Sequence, residues 1–180
     1  MLRDNIRPIG EYHNHSLEVK PYDPTVVLVA VEVIDLINQE LPNAVIEHIG
    51  STSVPQLACS GIIDLLVIAP SSQLQATASG LEVLGFQHLA HPAPASPKHS
   101  ILVGSYNYRG TVYNIHVHLL ADNDMEIYRL RAFRDRLRYD STLQTTYVAQ
   151  KRAIIKSGKT NPAEYERIKS DFIKRALNKS

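Results

Sequence analysis

The sequence predicts an α/β protein of the α+β type, in which one mixed β-sheet precedes a C-terminal helical portion. Short apolar runs at 44–49 and 62–68 have the length of strands, and helical segments lie before and after them. A hairpin is predicted at 101–120, and the last third is typical of helices. Strands that alternate with helices and then form a hairpin imply both parallel and antiparallel neighbours, so a mixed sheet is expected.

The first helix is predicted from the residues at its two ends. Asp23 suits the N-cap position, and Pro24 suits the first helical turn, where a backbone N–H has no partner within the helix. The helix should continue to about Leu41, because Pro42 and Asn43 stop it.

The first predicted strand alternates between two faces. Val45, Glu47 and Ile49 share one face, and Ile46 and His48 share the other. Glu47 and His48 therefore point in opposite directions, and at most one of them can reach a site on a neighbouring strand. Glu47 is the candidate, and a structural salt bridge is the alternative role for it.

Turn signals frame the second helix. Pro70 and the serines after it favour a helix start, the helix is predicted over 72–84, and Gly85 ends it. The stretch 91–97 holds three prolines in seven residues, so we expect an exposed loop without regular structure there.

The predicted hairpin carries an unusual polar pattern. Its strands are 101–106 and 111–120, joined by a polar turn. Alternation along the second strand puts His116 and His118 on one face, opposite an apolar face. Two histidines on one face of a strand suit either metal binding or ordinary hydrogen bonding in the core.

Three helices are predicted to follow the hairpin. The first two cover about 125–138 and 143–157. The last begins at Asn161, which suits an N-cap, and Pro162, which suits the first turn. We expect these helices to form a bundle or a layer that covers the sheet.

Composition bounds the class of protein. With 180 residues, 44% of them hydrophobic and 21% charged, the chain fits one domain over 1–180, with the sheet in about 18–122 and the helices in about 123–178. The single Cys59 excludes an intramolecular disulfide, and the start lacks the apolar core of a secretory signal, so a cytoplasmic location is expected. No segment is suited to crossing a membrane, and no membrane partner is expected.

The near-zero net charge is the sum of two parts of the chain with opposite net charges. Residues 1–123 hold five Lys and Arg against eleven Asp and Glu, whereas residues 124–180 hold fourteen against seven. A basic wall beside an acidic site suits a phosphorylated ligand that also needs a metal ion, and a solvated helical surface is the alternative. Nucleic acid is not an expected partner, because no aromatic-basic stacking motif accompanies the basic third.

A glycine–serine turn and an isolated carboxylate are the strongest functional signals. Gly50 can adopt a positive φ or let a ligand approach the backbone closely, and Ser51 and Thr52 add hydroxyls beside amides that suit an anion. Asp64 interrupts an apolar run, and a buried carboxylate is costly unless a cation or a hydrogen-bond donor meets it. Asp64 is therefore either satisfied internally or binds something.

Several blocks of the chain together resemble the GrpB-like family, which is assigned to the nucleotidyltransferase superfamily fold. The resemblance covers roughly 18–175, and its most specific block is 47–55. The further blocks that contribute are 22–24, 57–58, 62–64, 116–118, 133–138, Tyr147 with Lys151, and 165–173. The resemblance implies a mixed sheet of the nucleotidyltransferase-like type.

The superfamily pattern is met only in part. It combines a Gly followed by Gly or Ser with an acidic pair on a later strand, and here Gly50, Ser51 and Asp64 match it. Leu66 stands where the second acid of the superfamily would be, and Ser60 replaces a lysine that is common in the family. Paired carboxylates bridge the metal ions in two-metal nucleotidyl transfer, and one Asp does not supply such a bridge.

Two functions follow from the resemblance. One is a metal-dependent nucleotidyltransferase of unknown acceptor, with Asp64 as the catalytic residue and a nucleoside triphosphate, or another phosphorylated small molecule, bound at Gly50, Ser51, Thr52 and Arg134. The other is a catalytically inactive module that binds a nucleotide or a phosphate, for which Leu66 and Ser60 are the sequence evidence. The sequence leaves both functions, the enzyme and the non-catalytic module, as alternatives.

A divalent metal is the expected cofactor. Magnesium or manganese suits nucleotidyl transfer, and two imidazoles with one carboxylate also suit zinc. The candidate ligands are Asp64, His116, His118 and Glu47. Arg134 belongs to a helical stripe that suits either phosphate binding or an ion pair between helix and sheet.

Overall fold

The computed structural model describes residues 8–13, 18–89, 99–158 and 162–178, and for 162–166 the backbone alone. The elements, in chain order, are α1 (Thr25–Glu40), β1 (Val45–Ile49), β2 (Ile63–Ala69), α2 (Leu74–Leu84), β3 (Gln87–His88), β4 (Ser100–Tyr108), β5 (Thr111–Ala121), α3 (Glu126–Tyr139), α4 (Ser141–Lys156) and α5 (Pro162–Asn178). Each predicted helix and strand is present, and β3 is an addition. The proline-rich stretch 91–97 lies outside the described residues.

Within the described residues, five strands form one mixed sheet in the order β1-β2-β5-β4-β3. The neighbours β2 and β5 are parallel, and the other three pairs are antiparallel. The predicted mixed sheet is therefore confirmed. The hairpin turns tightly at Arg109 and Gly110, which have φ angles of 51° and 87°, and two residues with positive φ give the turn that matches the twist of paired strands.

Two helices cover one face of the sheet. Strand alternation directs Ile63, Leu65 and Val67 of β2 to this face, where they pack with α1 and α2 in the largest apolar cluster. The helix residues in that cluster are Val26, Val29, Ala30, Val33, Ile37, Ala78, Leu81 and Leu84. They recur every three or four residues, so each helix turns an apolar stripe toward the sheet.

The predicted boundaries of α1 and the predicted end of α2 are confirmed, whereas the predicted N-cap Asn161 lies outside the described residues. The carboxylate of Asp23 accepts a hydrogen bond from the N–H of Thr25 at 2.8 Å, so it caps α1 as expected. Asp140 does the same for α4, accepting from the N–H of Leu143 at 2.8 Å. Gly85 ends α2 with a φ of 115°, a conformation that favours glycine.

The opposite face of the sheet is half apolar and half polar, and α3 covers its apolar half. Ile49, Leu66 and Leu120 of three adjacent strands pack with Ile127 of α3, and Leu66 has no exposed surface. Leu66 is therefore a core residue beneath the helical portion.

The helical portion also holds the turn that follows β1. Val54 and Leu57 pack against Phe133 of α3 and Tyr147 of α4 in a second buried cluster. The rings of Phe133 and Tyr147 meet edge to face at a centroid distance of 5.3 Å. The predicted covering layer is thus present. No helix in the described ranges is both long and apolar enough to span a bilayer.

The first described segment of the chain is fixed at two points. The backbone of Gly10 pairs with that of Ser105 in β4, with N···O distances of 2.9 and 3.0 Å. The side chain of Asn114 in β5 then holds the backbone of His13, accepting from its N–H at 3.2 Å and donating to its carbonyl at 2.7 Å. This segment therefore crosses from β4 to β5 on the face that carries the predicted histidines.

Because Leu66 is buried, a carboxylate at this position should destabilise the protein. Leu66→Asp should lower the free energy of unfolding by about 3 kcal/mol or more, because a carboxylate would enter an apolar cluster without a partner. Leu66→Met, which keeps the volume, should cost less than about 1.5 kcal/mol. Urea denaturation of both variants measures the difference. A Leu66→Asp variant as stable as the wild type would contradict the burial of this position.

Candidate functional site

The strand register aligns the predicted site residues in two rows across β1, β2 and β5. The first row consists of Ile49, Asp64 and His116, and the second of Glu47, Leu66 and His118. Neighbouring strands lie about 4.8 Å apart, so residues of one row are direct neighbours. The two histidines share one face of the sheet, as the alternation along β5 predicts, and the pairing of β2 with β5 places Asp64 on the same face.

Asp64 lies at the centre of the site, with 16% of its side chain exposed. Nε2 of His118 is 3.3 Å from its Oδ1, and Nδ1 of His116 is 3.8 Å from the same oxygen. Burial raises the pKa of Asp64, but the hydrogen bond from His118 and the electrostatic interactions with Lys169, His118 and His116 outweigh burial and hold the pKa below its usual range. Asp64 is therefore an ionised carboxylate with donors around it.

Each histidine bridges Asp64 to an outer aromatic group. Nδ1 of His118 is 3.1 Å from Nε2 of His99, and Nε2 of His116 is 3.1 Å from the hydroxyl of Tyr12. A carboxylate only accepts, so a proton on Nε2 of His118 serves Asp64 and leaves Nδ1 to accept from His99. Sequence reasoning missed His99 and Tyr12, which lie on segments far from β2 along the chain.

Glu47 is occupied by arginines of α3. Arg131 donates to Oε1 from Nε at 2.9 Å and also from Nη2, and Arg134 donates to Oε2 at 2.8 Å. Burial raises the pKa of Glu47, and the hydrogen bonds from Arg131 and Arg134 outweigh it, so the pKa is lowered. Arg134 also donates to Asp135 at 2.7 Å. The salt-bridge role left open for Glu47 and for Arg134 is the one these contacts support.

The candidate metal ligands do not converge to form a coordination site. Among the described residues, no group of three or more His, Cys, Asp or Glu side chains is arranged to hold a metal ion. Glu47 is paired with arginines, and the two imidazoles face Asp64 as hydrogen-bond and ion-pair partners. Magnesium, however, is commonly bound by one or two carboxylates together with substrate phosphates, and Asp64 fits that lesser requirement.

Gly50 is required by the protein's own carboxylate. Its φ is 70°, and a Cβ at this position would lie 2.3 Å from Oδ2 of Asp64. Gly50 therefore has the positive φ that the sequence allowed for, and the group its backbone approaches closely in the structure is Asp64. Ser51–Ser53 then form a short turn, in which Ser53 donates to the carbonyl of Gly50 at 2.7 Å. Thr52 is fully buried, with its hydroxyl 3.0 Å from Nε2 of His48.

A buried lysine reaches the turn from α4. Lys151 is only 4% exposed, and its ammonium group donates to the hydroxyl of Ser51 at 3.2 Å. The same ammonium lies 4.7 Å from the centre of the Tyr147 ring. Arg138 of α3 donates to the carbonyl of Ser53 at 3.2 Å. Cations of the basic third therefore surround the turn, as the charge asymmetry suggested, but the contact of Lys151 with Ser51 was not predicted.

A sequence-family model described as GrpB protein matches residues 16–179. The chain belongs to the GrpB family. Among curated relatives, the UPF0157 protein of Halalkalibacterium halodurans is 28% identical over 177 residues, which are 96% of this chain and 87% of that protein. The UPF0157 protein of Pseudomonas aeruginosa is 32% identical over 142 residues, 78% of this chain, and the match spans only 57% of that longer protein.

A solved structure of a GrpB protein agrees with the family assignment. The crystal structure of conserved protein GrpB from Enterococcus faecalis is 28% identical, with a TM-score of 0.67 over 89% of this chain and 100% of that chain. A lower likeness is to Cid1 poly(U) polymerase bound to MgATP, with 15% identity and a TM-score of 0.48 over 72% of this GrpB chain and 42% of the polymerase. The predicted mixed-sheet fold is thus shared with a member of the family.

Two glycines with positive φ allow the contact of Gly50 with Asp64 to be measured. Gly61 has a φ of 80°, and a Cβ added there would have no atom within 4 Å, so Gly61→Ala should lose about 1 kcal/mol of stability from the backbone alone. Gly50→Ala should lose more, by on the order of 2 kcal/mol, because its methyl group meets the carboxylate. Thermal or urea unfolding compares the two. In an Asp64→Ala background the excess should shrink, and an undiminished excess would contradict the contact.

Two partly buried histidines predict a fall of stability in mild acid. Burial lowers the pKa of both His48 and His99 from 6.5 to about 4. Between these values the unfolded chain binds more protons than the folded chain, so the free energy of unfolding should fall as the pH falls through this window. Replacing both residues with Gln should flatten the fall, and replacing the exposed His88 with Gln should not. Urea denaturation at about pH 7 and about pH 5 measures it, and equal slopes in all three proteins would contradict the assignment.

Proposed function

We propose that this protein binds a nucleoside triphosphate, or another phosphorylated small molecule, at the turn that contains Gly50 and Ser51. The observation that carries the proposal is the buried ammonium group of Lys151 at the hydroxyl of Ser51. Lys151 thus brings a positive charge to a hydroxyl on the turn that follows Gly50. An ammonium and a hydroxyl held together on one turn are groups that bind phosphate oxygens.

The surrounding charges support the same ligand class. Lys169 is close enough to Asp64 for its charge to lower the pKa of that carboxylate, and Arg138 is bonded to the end of the turn. These cations come from three different helices of the basic third, whereas the turn and Asp64 belong to the acidic sheet portion. A boundary between basic and acidic surfaces attracts an anion that has a divalent cation bound to it.

A divalent ion fits as part of the ligand. Magnesium or manganese would arrive on the triphosphate, and Asp64 would supply one protein oxygen, in the manner usual for magnesium. Zinc fits less well, because zinc sites normally take three or four protein ligands and the described residues offer no such group. When bound, the ion would neutralise charge on the phosphates.

Nucleotidyl transfer to an unknown acceptor is the second candidate function. It is favoured by the position of Asp64 in direct contact with the Gly50 turn, since a carboxylate beside the phosphate site is what such transfer needs. Leu66, buried in the core, removes the second carboxylate, so a two-metal site does not fit. A module that binds nucleotide without catalysis is the alternative that Leu66 and Ser60 favour.

Calorimetry with paired lysine variants tests the binding proposal. The wild type should bind ATP with magnesium more tightly than ATP alone. Lys151→Met should weaken binding by about tenfold or more, because a desolvated charge-assisted contact is lost. Lys156→Met, at the exposed end of the same helix, is the matched control and should bind as the wild type does.

Two results would count against the proposal. A wild type that gives no heat with ATP, UTP or GTP, with or without magnesium, would exclude a nucleotide site. A Lys151→Met variant that melts and binds like the wild type would place any nucleotide away from the Ser51 turn. Melting curves of both lysine variants separate a loss of affinity from a loss of folding.

A further inference from the structure

Tyr12 presents a hydroxyl group to the site from the first described segment. Its oxygen is 3.1 Å from Nε2 of His116, and the two rings are tilted by 44° at a centroid distance of 5.3 Å. The pairing of Gly10 with Ser105 before it and the bonds of His13 with Asn114 after it fix the backbone on both sides. The hydroxyl is therefore held in place by the fold.

His116 stands between this hydroxyl and Asp64. Its Nε2 faces Tyr12, and its Nδ1 lies 3.8 Å from Oδ1 of Asp64. A hydroxyl within hydrogen-bonding reach of an imidazole, with a carboxylate at ion-pair distance on the other side of the ring, is similar to the arrangement that activates hydroxyl nucleophiles. The carboxylate also stabilises the imidazolium that forms when the imidazole takes a proton.

The hydroxyl and the proposed phosphate site lie at opposite ends of one row of residues across three strands. Ile49, Asp64 and His116 form one row on adjacent strands, and Gly50 follows Ile49 directly. Two steps of about 4.8 Å separate the Gly50 end of this row from the histidine end. A nucleotide whose phosphates occupy the turn would thus have Tyr12 at the far end of the same short row, with Asp64 between them.

We propose that Tyr12 is a nucleotidyl acceptor, so that the protein transfers a nucleoside monophosphate from a nucleoside triphosphate to its own tyrosine. The phenolic oxygen attacks the α-phosphorus, and the bond from that phosphorus to the bridging oxygen of the β-phosphate breaks. Pyrophosphate leaves, and the phenolic proton passes to Nε2 of His116. The product is a phosphodiester between Tyr12 and the nucleoside, and no oxidation or reduction takes place. This inference rests on the nucleotidyl-transfer function proposed above.

Mass spectrometry of the full chain tests the proposal. After incubation with magnesium and ATP, UTP, GTP or CTP in turn, the intact protein should gain the mass of one nucleoside monophosphate, and peptide mapping should locate it on Tyr12. Tyr12→Phe should abolish the gain. Tyr139→Phe is the matched control, since Tyr139 is 90% exposed on α3, and it should be labelled as the wild type is.

The role of His116 is tested by rate. His116→Gln keeps a hydrogen-bonding group but not the base, so labelling should slow by about 100-fold at saturating nucleotide. Unchanged labelling in this variant would contradict the proton transfer to His116. Melting curves of the Tyr12 and His116 variants exclude misfolding, and the peptide map of the wild type does not depend on any variant.

Failure of this inference can be told apart from failure of the binding proposal. A wild type that binds magnesium and nucleotide in calorimetry but gains no mass with any of the four nucleotides would overturn the acceptor role of Tyr12 and leave nucleotide binding standing. A label mapped to another residue would overturn it as well. A wild type that neither binds nor is labelled would remove both.

Discussion

The structure of this site depends on one carboxylate that is almost removed from water. Asp64 has 16% of its side chain exposed, and its two oxygens have different neighbours. One faces His116 and His118, and the other lies where any side chain on residue 50 would have to be. The cost of desolvating the charge is offset by these donors and by the nearby Lys169. Gly50 and the two histidines of β5 thus all face this one carboxylate.

Other charged side chains join the two parts of the chain. The acidic sheet portion offers Glu47 and Asp64 on one face, and the basic helices α3, α4 and α5 lie over that face. Arg131 and Arg134 bind Glu47, and Lys151 reaches the Ser51 turn. Apolar side chains packed around Tyr147 support these contacts. The helical portion therefore both covers the sheet and supplies the cations of the site.

In this GrpB protein, the missing second carboxylate limits the chemistry that the site can perform. Leu66 occupies the row of Glu47 and His118, but it is packed beneath Ile127. A carboxylate there would be buried in apolar surroundings, so the helical cover and a paired-carboxylate site exclude each other in this fold. The imidazoles beside Asp64 are then the groups that can accept or donate protons. This is why the proposed chemistry is assigned to a histidine and a single carboxylate.

The sequence by itself determined the helices and every strand except the short β3, their order along the chain, the mixed sheet and the common face of His116 and His118, because periodicity, caps and turns are local properties of the chain. It also singled out Gly50 as a position of positive φ or of close approach by a ligand, and the structure shows a close approach to Asp64. Only the tertiary structure decided which groups meet: Tyr12 reaches His116 across 104 residues, and Lys151 reaches Ser51 across 100. Contacts over such separations depend on how helices pack on the sheet, and no local pattern records that packing.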